Sequence, residues 1–222
     1  MAALVSELLA VLPQTQCMRC GFPSCEAYAQ AISQTTAGIN QCPPGGAQGI
    51  AWLAAVTGQP VTPLNPIHGS EGPRTVAFID ENWCIGCTLC IKACPADAIM
   101  GSSKLMHTVI EAYCTGCELC LPVCPVDCIE LENVTGKATG WGAWSRPLAD
   151  LARERYEFSN YRRTRDEGEN DKRLEEKALL KLADLPAHSQ HTDPATLDKK
   201  RAVIEAALAR ARAKRDSGPI TP

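Results

Sequence analysis

Two copies of one cysteine unit sit in the middle of this chain and constrain everything around them. The first reads Cys84-Ile-Gly-Cys87-Thr-Leu-Cys90-Ile-Lys-Ala-Cys94-Pro95. The second reads Cys114-Thr-Gly-Cys117-Glu-Leu-Cys120-Leu-Pro-Val-Cys124-Pro125. Each is C-x2-C-x2-C-x3-C-P, a run that wraps one corner of a cubane 4Fe–4S cluster and sends its fourth cysteine to a second cube. A cube needs four thiolates, one per iron. The assignment is therefore Cys84, Cys87, Cys90 and Cys124 for one cluster, and Cys114, Cys117, Cys120 and Cys94 for the other. Gly86 and Gly116 relieve crowding where the chain turns tightly. Pro95 and Pro125 stop the helix that would continue and turn the fourth ligand aside. Zinc sites use paired ligands, two C-x2-C units or cysteine with histidine, which fits this pattern poorly.

Another group precedes the pair: Cys17-Met-Arg-Cys20-Gly-Phe-Pro-Ser-Cys25, with Cys42-Pro43-Pro44-Gly45-Gly46 further on. Four thiolates suit one more cube and also a zinc tetrahedron, so the spacing leaves both open. With Cys128 the cysteines number 13, and an odd number leaves a complete disulfide framework one thiol over. The N-terminus lacks a basic start and carries Glu7 inside its apolar run, which argues against a secretory signal. In a reducing compartment such cysteines are metal ligands. Cys128, at the start of an apolar strand, reads as a buried small hydrophobe. Trp83 and Tyr113 each precede the first cysteine of a unit and are expected to shield the cubes from water. His68 and His107 are lone histidines with no matching ligand set.

Residues 2–12, 26–33 and 47–57 read as helices, the second capped by Ser24. Gly58 to Pro73 is a Gly/Pro-rich linker signal. Strands fit residues 75–80, 106–110 and 128–131, and helical turns fit 88–93 and 118–123. The order strand, cysteine loop, helix, strand thus occurs twice with a period of about 30 residues, an internal repeat. After Pro147 the composition turns to charged, Ala/Leu-rich helix without cysteine, and Asp193-Pro194 starts a last helix to Arg215. The expected fold is α+β. It comprises a small helical four-cysteine module (1–58), a linker (59–73), a two-cluster ferredoxin-like domain of βαβ repeats (74–135) and a charged helical extension (136–222).

Charge is uneven. Residues 1–140 hold five Lys/Arg against eleven Asp/Glu, whereas residues 141–222 are net basic and bring the total to −3. An acidic, cluster-bearing front suits docking on a basic redox partner. The basic runs Arg162-Arg163-Thr-Arg165, Lys199-Lys200-Arg201 and Arg210–Arg215 alternate with acids and read as solvated helix faces, so no nucleic acid is expected. No apolar run reaches the roughly 18 residues of a membrane span. No Gly-rich phosphate loop, Ser/His/Asp set or other substrate site is present, so no catalytic residue is expected.

Leu12-Pro13-Gln14-Thr15-Gln16-Cys17-Met-Arg-Cys20-Gly21-Phe-Pro23-Ser-Cys25, then Cys42-Pro43-Pro44-Gly45-Gly46, then the doubled unit, resembles the RnfB family, the B component of the Rnf (Rsx) electron-transport complex, over roughly residues 2–135. The resemblance implies a 4Fe–4S cluster on Cys17, Cys20, Cys25 and Cys42, hence three 4Fe–4S clusters. It also implies single-electron relay between a low-potential donor and a redox partner, with other Rnf-like subunits as companions. Members of that family begin with a hydrophobic membrane anchor. This chain begins directly at the helix before Leu12, so the expected location is cytoplasmic or peripheral at the cytoplasmic face of the inner membrane, with the membrane reached through partners. The alternative is a regulatory or structural cluster protein whose helical tail binds a macromolecule.

Overall fold

In the computed structural model, residues 2–216 are described; residue 1 and residues 217–222, at the outer ends of the first and last expected segments, lie outside. Helices α1 (Ala2–Ala10), α2 (Cys25–Ser33) and α3 (Gly46–Thr57) come first. Ser24 caps α2, its Oγ accepting from Ala27 N at 3.0 Å. Gly58 ends α3 in the left-handed conformation, φ 72°. Leu8, Leu12, Tyr28, Ile32, Ile50 and Leu53 form the core of this part, with Cys20 and Cys42 buried among them.

The Gly/Pro-rich stretch that follows is pinned down. Asn65 N donates to Asn40 O (2.8 Å), Asn40 Nδ2 to Pro63 O (2.8 Å), and His68 Nδ1 lies 3.1 Å from Arg19 O. The Glu71 carboxylate accepts from Ala47 N in the first turn of α3 and from the Thr139 hydroxyl that precedes α5 (Gly140–Ala143). One acidic side chain thus satisfies a first-turn N–H of α3 and holds the residue that precedes α5.

Strands β1 (Thr75–Ile79) and β4 (Ile129–Asn133) pair antiparallel, Thr75 opposite Asn133 and Ile79 opposite Ile129. Strands β2 (Ile99–Met100) and β3 (Thr108–Val109) form a second antiparallel pair. Val76, Ala77, Ile79, Ala98, Ile99 and Ile129 enclose Cys90, Cys94, Cys114, Cys120 and Cys128. The first cysteine unit carries a short helix, α4 (Leu89–Ala93). The second has only hydrogen-bonded turns where residues 118–123 were expected to be helical. The difference has a simple cause. Lys92 N donates to Thr88 O at 3.2 Å in the first cysteine unit, and the matching position in the second is Pro122, which has no N–H.

The chain divides into two compact units, the first running to Asn160 and the second starting at Tyr161. The boundary falls inside α6 (Arg146–Ala183). In the first compact unit, Trp144 buries itself against Ala149 and Ala152 and donates Nε1–H to Pro13 O at 2.8 Å. The Arg146 guanidinium stacks over Trp52 (4.2 Å) and Trp141 (4.9 Å) and donates to Ala10 O. In the second compact unit, α7 (Pro194–Asp216) starts at Asp193, whose carboxylate accepts from Thr196 N at 2.9 Å. Glu175 pairs there with Arg212 and Arg215. Among the described residues, no helix is long and apolar enough to cross a membrane.

Candidate metal centre

All 13 cysteines are unbridged. Their mutual electrostatics sort eleven of them into groups. Burial first, opposed by a backbone N–H at Gln16 and then reinforced by the charges of Cys17 and Cys20, pushes the Cys25 thiol up to about 12. Burial and then Cys25, Cys17 and Cys20 push Cys42 well above its ordinary value. The four N-terminal cysteines therefore face one another. In the second cysteine unit, burial and then Cys117, Cys114 and Cys94 raise Cys120 to about 12. Burial raises Cys117 to about 11, with Cys94 and Cys114 adding to it. Cys94, from the first cysteine unit, thus stands beside the sulfurs of the second. Burial and then Cys87 and Cys84 raise Cys90.

Cys124 stands beside Cys128. Its sulfur lies 3.5 Å from that of Cys128, and Cys128, raised to about 12 by burial and then by Cys124, also feels Cys84. Burial opposes ionisation of Cys124. Backbone N–H groups of Val126, Cys128 and Asp127 outweigh it and hold this thiol below its ordinary value. Cys128 is buried, as its place at the head of β4 implied.

The donor set fits iron–sulfur chemistry. Buried sulfurs are met by amide donors: Ala98 N reaches Cys94 Sγ at 3.2 Å and Ala77 N reaches Cys114 Sγ at 3.5 Å. Amides aimed at sulfur offset the cost of burying anionic ligands. Among the described residues, no three His, Cys, Asp or Glu groups surround the position of a single metal ion.

The backbone repeats as the cysteines do. Gly86 and Gly116 both have φ 67°, Thr88 and Glu118 both 65°, and Asp97 and Asp127 both 48°. A Cβ on Gly86 would lie 2.6 Å from Leu105 O, and one on Gly116 would lie 2.5 Å from Thr75 O, again 30 residues apart. Thr88 and Glu118 adopt the left-handed conformation without being glycine, a strain that surrounding structure must hold.

Several residues around the cysteines carry no sequence signal. His107 is 1 % exposed, its Nδ1 3.2 Å from Cys90 Sγ and its Nε2 buried without a partner. Gln16 accepts from Cys25 N at 2.9 Å. Arg74 donates to Cys114 O at 2.8 Å and stacks over Trp144. Arg155 donates to Ala96 O and Asp97 O and lies 3.5 Å from the centre of the Tyr113 ring. The N-terminal module meets the second cysteine unit directly: Thr115 Oγ1 donates to Thr15 O at 3.0 Å, and Arg19 pairs with Glu118. The shielding role expected of Trp83 fails, because that side chain is 68 % exposed. Its counterpart Tyr113 is half-buried beneath Arg155.

Residues 77–131 match a family described as a 4Fe-4S dicluster domain, and residues 12–44 match one described as a putative Fe-S cluster. The B subunit of the ion-translocating oxidoreductase complex of Azoarcus sp. is 57 % identical over 148 residues, covering 67 % of this chain and 80 % of that protein. The B subunit of the same complex from Alkalilimnicola ehrlichii is 52 % identical over 152 residues, covering 68 % and 81 %. That from Shewanella oneidensis is 54 % identical over 138 residues, covering 62 % and 70 %. With its cysteine groups and this coverage, the chain belongs to the RnfB family, the B subunits of ion-translocating oxidoreductase complexes.

Proposed function

We propose that this chain is an iron–sulfur relay of the Rnf type, carrying single electrons through three 4Fe–4S clusters. Cys17, Cys20, Cys25 and Cys42 hold one. Cys84, Cys87, Cys90 and Cys124 hold the second, and Cys114, Cys117, Cys120 and Cys94 the third. Residues 1–58, 74–135 and 136–222 then act as cluster module, two-cluster repeat domain and helical extension, with 59–73 as their fastening. The clusters supply one-electron redox chemistry when bound; the protein sets spacing, potential and docking. The relay works beside the other subunits of an ion-translocating complex and reaches the membrane through them.

The single observation that carries this reading is the partition of the cysteines by mutual charge, in which Cys94 sides with Cys114, Cys117 and Cys120. Exchange of the fourth ligand interlocks the two repeats and keeps two cubes close, which suits electron hopping. Contact of Thr15 and Arg19 with Thr115 and Glu118 brings the N-terminal module to the same pair.

Anaerobic purification with metal counting and low-temperature EPR tests this. Three cubes give about 12 irons per chain, four to each. Eight irons with one zinc would remove the N-terminal assignment. Dithionite-reduced protein unable to pass electrons to any acceptor protein would end the relay reading.

A further inference from the structure

The two cysteine loops match in backbone, but among the described residues of the first compact unit only one of them is covered. On the second loop, Tyr113 lies under Arg155, Thr115 is buried and bonded to Thr15, and Glu118 is paired with Arg19. That surface is an internal interface between two cysteine-bearing modules. Thirty residues earlier, the same positions are Trp83, Ile85 and Thr88. Trp83 is 68 % exposed and Ile85 58 %. Leu105 and Met106 join them, also exposed, because Lys104 N donates to Gly86 O at 2.9 Å and the Leu105 backbone packs on Gly86. Leu89 extends the patch from α4.

We infer that this uncovered surface over Cys84 and Cys87 is the docking face for a separate redox protein, seated as the N-terminal module is seated on the matching loop. The inference rests on the relay reading above and names where the electron crosses to another chain. A second copy of this chain does not fit as the occupant. Its equivalent face, around Thr15 and Arg19, is already spent on its own second loop. The occupant's chemistry follows from the substitutions between repeats. Thr88 stands where Glu118 binds an arginine, so the centre of this face lacks that anchor, and the exposed Glu81 and Lys104 at its rim carry opposite charges. Clustered, exposed Trp, Ile, Leu and Met side chains mark an interaction site. The partner therefore presents an apolar, uncharged face above its own cofactor, and binding at this centre depends little on salt.

The test uses the full, cluster-loaded chain, reduced with dithionite, and the remaining subunits of the complex purified without it. Stopped-flow bleaching of the cluster absorbance reads the transfer. The double substitution Leu105→Gln/Met106→Gln, and separately Trp83→Gln, uncharged replacements at positions that are not cluster ligands, should each lower kcat/KM at least tenfold. Cluster potentials by EPR titration should stay unchanged, and the wild-type rate should be nearly flat in ionic strength. Leu180→Glu, an equally exposed apolar position in the second compact unit, serves as the control and should have no effect.

If the wild-type protein transfers no electrons, the relay reading falls and this inference with it. If it transfers and the substituted proteins transfer equally fast, only the docking face is wrong. Substitutions that abolish co-sedimentation with anionic phospholipid vesicles while sparing transfer would make the patch a membrane contact and overturn the inference.

Discussion

His107 is 1 % exposed, with Nδ1 3.2 Å from the Cys90 sulfur and Nε2 unpartnered. A thiolate bound to iron cannot donate, so cluster loading fixes the tautomer: Nδ1 carries the proton and gives an N–H···S bond. The repeat supplies no such donor on the other side, because the residue 30 positions earlier is Ala77, which offers only its backbone N–H. The bond strengthens when the cluster gains an electron and the sulfur becomes more negative. A hydrogen bond to a charged group contributes about 1.5–3 kcal/mol. If roughly a third to a half of that is gained on reduction, the differential is about 0.5–1.5 kcal/mol. For one electron, about 1.4 kcal/mol corresponds to 59 mV, so His107→Leu should lower one cluster's potential by about 20–60 mV. The cluster affected is that of Cys84, Cys87, Cys90 and Cys124. His107→Gln, which keeps a donor, should recover part of the loss. Stability should change little, since leucine fills the site and removes a buried unpartnered nitrogen. EPR-monitored redox titration of the anaerobically purified protein measures this. A rise in potential, no resolvable shift, or a shift confined to the Cys114 cluster would refute the reasoning.

Cys94→Ala should perturb the EPR signal of the cluster on residues 114–120 and spare that on 84–90; the reverse pattern would reject ligand exchange between the repeats. Gly86→Ala places a Cβ 2.6 Å from the Leu105 backbone at a left-handed φ. Left-handed backbone alone costs about 1–2 kcal/mol, and loss of the Cys84 cluster, read as four fewer irons, is expected on top. Trp144→Phe leaves the buried Pro13 carbonyl without its donor and should cost about 1–3 kcal/mol in denaturant unfolding. Cys25 and Cys120 near 12 and Cys117 near 11 are protonated at neutral pH in the cluster-free chain. Loading must expel those protons, so iron–sulfur uptake should weaken as pH falls. For the cluster-free fold the sign is opposite: the raised thiols contribute stability in full below about 9, and it is lost as pH rises towards 12. Denaturation midpoints of cluster-free protein that rise above pH 9 would contradict this.

The cysteine groups were legible because ligand chemistry imposes spacing, and spacing survives in a one-dimensional string. The helix starts at Ser24 and Asp193 were legible for a similar reason, since a cap acts within three residues. What escaped are contacts between residues far apart in sequence. His107 looked idle because its partner Cys90 lies 17 residues away on another element. The Gly/Pro-rich stretch read only as a linker because nothing local reveals that Glu71 reaches Thr139, 68 residues on. Trp83 was expected to be a shield because, like Tyr113, it stands just before the first cysteine of a unit. Whether it does depends on what covers the loop, and only the second loop is covered. The missing helix at 118–123 could have been read from Pro122 alone, whose absent N–H was there to see.

The hydrogen bond from Trp144 to Pro13 joins residues 131 positions apart, and this separation sets a timetable for synthesis. At about 5–20 residues per second, the tryptophan is made roughly 7–26 s after the proline. The same delay separates their emergence from the ribosome, and during it the Leu12–Cys17 segment lacks the lid formed by Trp141, Trp144 and Arg146. The last of these also holds Ala10 O. The nascent N-terminal module is therefore open to whatever delivers iron and sulfide, and equally to oxidants, until α6 begins to emerge. Sealing comes last.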